Sequence, residues 1–160
     1  MTVEPFRQPG RRRPYRQIER RYVIEYVVNK FPNRIWAAFN VRLGMPPKRM
    51  REMYPDVPPE HFKVWLPTAD AVVVDGSYIY VIEAKIRQPR AAIGQLLDYA
   101  RRVPETPDLR RFLPREVVKV LVVPLKDPEL EKTCEMYGIK VDYFCPQWVL
   151  DYMREVKLIP

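Results

Sequence analysis

At 160 residues, 47% of them hydrophobic, the chain has the length of one domain with a real core, which excludes disorder throughout. No apolar run approaches the roughly 20 residues that span a bilayer, and the Arg-rich N-terminus lacks the apolar segment of a secretory signal, so a soluble, intracellular, cytoplasmic protein without a membrane partner is expected. A formal net charge of +8 favours a polyanionic partner, and two cysteines, Cys134 and Cys145, are too few for a disulfide framework or a four-cysteine cluster.

Residues 1–14 carry Pro5, Pro9, Gly10 and the run Arg11, Arg12, Arg13 with no apolar period, which reads as a flexible basic arm ahead of a single domain over 15–160. The arm has two readings, phosphate contact that positions the protein on a nucleic acid, or a solvated tail. Tyr15, Ile18, Tyr22 and Tyr26 predict a helix to about Lys30, stopped by Pro32, with Glu19 and Glu25 on opposite edges of its apolar stripe. Residues 34–43 read as a strand closed by Gly44. The Pro-rich segment 45–67 follows, with a short helix expected near Pro47 to Met53. Lys48, Arg49, Arg51, Tyr54, His61 and Trp65 make this segment basic and aromatic. Such a mixture suits stacking on bases or gripping a backbone, and equally a flap whose aromatics pack on the core. His61 is the sole histidine, and no nucleophile motif accompanies it.

Asp75-Gly76-Ser77 lies between two apolar, β-branched runs, which predicts a hairpin of strands 69–74 and 78–85. With Gly76-Ser77 as the loop, Asp70 stands opposite Glu83; with Asp75-Gly76, it stands opposite Val81. Either two-residue loop leaves both carboxylates on one face, about 5–8 Å apart, and Lys85 joins them by the period of two. A three-residue loop changes the parity, so lengthening the turn is expected to separate the acids. A helix over 89–103 carries Gln95 and Tyr99 on one face. A buried strand (116–124), a helix (127–137), a strand (139–144) and a last amphipathic helix (146–156) complete an α/β sandwich. The high Pro, low Gly, Arg-over-Lys balance is one common in thermophilic proteins.

Two close carboxylates are a donor set that Mg²⁺ accepts while keeping several waters. A lysine beside them can orient the attacking water, or deprotonate it if burial depresses its pKa. These are parts for hydrolysing a phosphodiester; the plainer alternative is a structural acid–lysine pair on a strand.

In this order and context, Asp70, Glu83-Ala84-Lys85 and Gln95-Leu96-Leu97-Asp98-Tyr99 resemble the PD-(D/E)xK nuclease superfamily, and in particular its RecB-type branch with a Gln-x-x-x-Tyr motif; the chain is also similar to Holliday-junction resolvases. The resemblance implies a restriction-endonuclease-like core, that is, a helix, a three-stranded meander, a helix and a strand in a mixed sheet flanked by helices. It implies a Mg²⁺-dependent deoxyribonuclease, with Mn²⁺ able to substitute, of viral or archaeal kind and working on DNA in recombination, repair or viral replication. Asp70 and Glu83 would ligate the metal with the Ala84 carbonyl, Lys85 would serve the water, and Gln95 would orient Lys85 or the water. Tyr99 would touch the DNA backbone, as would Arg11, Arg12, Arg13, Lys48, Arg49 and Arg87. Glu19, whose Glu-Arg context is similar to the resolvase version, would add a helix-one ligand, with Glu25 in reserve. Junction-resolving members are homodimers, which extends the expectation to a homodimer here. Pro67 is not adjacent to Asp70 as in the family pattern, and no iron-sulfur cluster is implied. The alternative is a non-catalytic nucleic-acid-binding or assembly module on the same fold.

Overall fold

The computed structural model describes residues 13–160, with side chains from Tyr15 onward. Arg11, Arg12 and nearly all of the expected basic arm lie outside the described residues, and Arg13 is the first residue of helix α1, Arg13–Lys30.

Five strands form one sheet in the order β1 (Trp36–Arg42), β2 (Thr68–Asp75), β3 (Tyr78–Ala84), β4 (Glu116–Val123), β5 (Ile139–Tyr143). The first three run antiparallel as a meander; β4 and β5 run parallel to β3, so the sheet is mixed. Parallel strands need crossovers, and α3 (Ala92–Arg102) and α4 (Pro128–Met136) supply them, while α5 (Gln147–Glu155) ends the chain. Ala71, Val72, Val73 and Val74 are all fully buried because both sheet faces are covered. On one face Tyr22, Val23, Tyr26 and Val27 of α1 pack with Val149 and Met153 of α5. On the other, Ala92, Leu96 and Tyr99 of α3, spaced four and three residues apart, pack with Leu130 and Cys134 of α4. Both cysteines are free thiols.

The segment after β1 is closed at its base, where the Leu43 N–H donates to the Pro67 carbonyl at 2.9 Å. The expected short helix is α2 (Lys48–Met53), and a 3₁₀ segment over Pro59–Trp65 inserts only Phe62 into the interior. Tyr54 and Trp65 remain exposed, so of the two readings for these aromatics the core-packing one fails for this pair. Two further 3₁₀ turns, Val103–Glu105 and Pro107–Phe112, bury Leu109 and set Phe112 against Trp36 at 5.3 Å between ring centroids. Such short turns carry no apolar period, so nothing in the sequence pattern announced them.

The hairpin uses the two-residue loop Gly76-Ser77: Asp75 pairs with Tyr78 and Ala71 with Ile82. Gly76 has a φ of 55° and no other loop residue is left-handed, the pattern of a II′ turn. The expectation that a longer turn separates the acids needs correction. β2 is also paired to β1, and β3 to β4, so the register is held from outside the hairpin. A glycine inserted between Gly76 and Ser77 is expected to enlarge the exposed loop and shift the thermal midpoint by only a few degrees, since a slightly longer loop costs less than about 1 kcal/mol. Loss of cooperative melting in that variant would show that the turn alone sets the register.

Candidate functional site

The backbone pairing of β2 with β3 reaches Ala71 and Ile82. One step further, side chains take over. The Asp70 N–H donates to Glu83 Oε1 at 3.3 Å, and the Ala84 N–H donates to Asp70 Oδ2 at 2.9 Å. The two carboxylates are thereby held face to face by each other's strand, which is the first of the two loop registers open from the sequence. Glu83 is only 2% exposed. Burial, reinforced by the charge of Asp70 and opposed by Lys85, pushes its carboxyl up to about 8.

Lys85 follows on the same face and lies 3.4 Å from Glu83 Oε2. Burial works to lower its pKa, but the charges of Glu83, Glu19 and Asp70 outweigh it and the net direction is up. Of the two roles open from the sequence, the base, which needed a depressed pKa, is the one this direction disfavours. Lys85 stays an ammonium near neutral pH and can orient a water or meet a phosphate, not deprotonate one.

Glu19 and Asp70 line one cleft of about 560 Å³, with Arg16, Arg20, Asn40 and Thr68 on its walls. Burial raises the Glu19 carboxyl, Asp70 adds to this, and Lys85 and Arg87 oppose it. Glu19 also accepts from the Tyr15 hydroxyl at 2.5 Å. Glu25 is engaged elsewhere, accepting from Trp148 Nε1 at 2.6 Å and Arg21 Nε at 2.9 Å. Of the two helix-one acids, Glu19 is the one brought to the site, because six residues of helix carry Glu25 away along the sheet toward α5.

Other expected residues fall differently. Tyr99 is 2% exposed, and its hydroxyl donates to the Thr68 carbonyl at 3.0 Å. A phenol buried this way braces the start of β2 and has no face for a DNA backbone, so that role is withdrawn. Burial and the nearby Glu83 raise its pKa, which keeps it a donor. Gln95 shares α3 with Tyr99 but is exposed, and no hydrogen bond joins it to Lys85. Arg87 is exposed beside the site, with its guanidinium over the Tyr15 ring at 5.2 Å and donating to the Tyr152 hydroxyl at 3.2 Å. Lys48 and Arg49 are exposed on α2, away from the residues that line the cleft, and Lys48 reaches Glu52 at 3.6 Å. His61 is exposed on the 3₁₀ segment. Arg16 and Arg20 were missed; their spacing of four beside Glu19 was the available signal, since it places them on one helix face.

Among the described residues no three His, Cys, Asp or Glu side chains form a closed metal cage, and no helix is long and apolar enough to cross a membrane. The donor chemistry nonetheless fits a hard divalent cation. Two carboxyl groups, one buried and one half-buried, are held together with a single ammonium against the first of them, and Mg²⁺ is commonly held by one or two carboxylates plus waters. The chain matches no protein-family model, no curated protein and no solved structure.

Proposed function

We propose that this protein is a Mg²⁺-dependent deoxyribonuclease on a restriction-endonuclease-like core. One observation supports it above the rest: Asp70 and Glu83, locked side by side at the end of the sheet, with the Lys85 ammonium 3.4 Å from Glu83. A merely structural acid–lysine pair has no use for a second, half-buried carboxylate whose charge raises the pKa of the buried one.

Asp70, Glu83 and the Ala84 carbonyl would hold Mg²⁺, which when bound supplies an acidified water and neutralises charge on the phosphate. Lys85, its pKa raised by the neighbouring acids, is a cation that orients the water and offsets charge developing on the phosphoryl oxygens. Arg16 and Arg20 on the cleft wall, and Arg87 beside it, meet the flanking phosphates as cations. Tyr99 holds β2 at Thr68, two residues from Asp70, and so positions that carboxylate indirectly.

A panel of labelled single-stranded, duplex and branched DNAs, incubated with millimolar Mg²⁺ or Mn²⁺, tests the reading. Cleavage that requires the metal and stops with chelator is expected; no cleavage of any substrate with either ion overturns it. Glu19 and Glu25 provide an internal comparison. Glu19→Gln is expected to lower kcat/KM roughly 10–100-fold, the usual cost of removing a supporting group at a metal site, whereas Glu25→Gln leaves it unchanged. The reverse order would move the helix-one acid to the α5 side.

A further inference from the structure

Asn40 interrupts the edge strand β1. Its φ of 52° lies in the left-handed region, which a residue other than glycine occupies at a cost. The neighbours show what this departure does. Residues two apart on a strand normally share a face, yet Phe39 packs into the α1–α5 core and Val41 into the α3–α4 core. Ala71 and Ala69 on β2 change cores in the same way. Between the pairs Phe39–Ala71 and Val41–Ala69 stand Asn40 and Asp70. β1 and β2 therefore change face at the level of the candidate site, and Asn40 is the left-handed residue at that point.

A turn of the backbone by itself is satisfied most cheaply by glycine. Asn40 adds a carboxamide, which is exposed and lines the cleft together with Glu19, Asp70, Arg16 and Arg20. That group suits the place: its amide offers N–H donors to a phosphate oxygen, whereas a carboxylate there would repel a phosphate. Building on the nuclease reading above, we infer that Asn40 binds the substrate strand, its amide donating to a phosphate oxygen beside the bond that is cut.

Asn40→Gly and Asn40→Asp test this, because both residues accept a left-handed backbone. With thermal melting at or above the wild-type value, Asn40→Gly is expected to raise KM for DNA about tenfold at nearly constant kcat, the loss of one hydrogen bond to a charged group. Asn40→Asp is expected to raise KM further, by an amount that shrinks as salt screens its charge. Wild-type KM in both variants, or a fall in kcat alone, would leave Asn40 a turn residue and overturn the inference while the nuclease reading stands. A wild-type protein that cleaves no DNA removes that reading and this inference together.

Discussion

Asp70→Ala is expected to lower metal-dependent DNA cleavage about 10³-fold, because a metal supplies several kcal/mol of transition-state stabilisation and Asp70 is one of two carboxylates available to hold it. The fold should survive. The Ala84 N–H loses its acceptor, a penalty of about 1–3 kcal/mol, but Glu83 loses the like charge that raises its pKa, and the two changes oppose each other. Lys85→Ala is expected to cost roughly 10²–10³-fold, on the scale of removing one fixed electrostatic donor. Single-turnover cleavage with melting curves on the same samples separates chemistry from folding. Wild-type cleavage by either variant would sink the mechanism.

Glu83→Gln is expected to do two opposite things, abolishing cleavage and stabilising the metal-free protein at alkaline pH. The folded-state pKa of Glu83 is raised from 4.5 to about 8, so the native state holds a proton that the unfolded chain has released. Stability from this group is complete below pH 4.5 and falls away as the pH rises to about 8. At pH 9 the wild-type protein carries a buried anion that glutamine avoids, and the variant should be more stable by up to roughly 5 kcal/mol, at about 1.4 kcal/mol per pKa unit over the raise from 4.5 to about 8. Urea unfolding at pH 5 and pH 9 without divalent metal reads this directly: the variant should gain at pH 9 and little at pH 5. An equal gain at both would mean that Glu83 is not held protonated. The arrangement belongs to the known conflict between stability and a preorganised site.

Much of the frame was legible because it rests on local patterns. The runs around Asp75-Gly76-Ser77 mark a hairpin whatever surrounds them, and the helix over 89–103 was legible from its Pro start and its spacing. Tyr99 shows the limit of that spacing. A spacing of four put it on one face with Gln95 and the motif sent it to the DNA backbone, and only packing showed it buried with its hydroxyl on Thr68.

By itself the sequence determined the order of the helices and strands, the common face of Asp70, Glu83 and Lys85 once the turn is two residues long, and the positive balance of the chain, since each follows from residue type and a period of two or 3.6. Tertiary structure alone decided the rest. Glu19 reaches the site and Glu25 does not because α1 crosses the sheet at one particular height. Burial fails to depress the Lys85 pKa because acids from three separate elements, Glu83, Glu19 and Asp70, outweigh it. Asn40 is left-handed at the level where β1 and β2 change faces together beside Asp70. Each depends on groups distant in sequence, and electrostatics and packing act through space, where no local pattern records them.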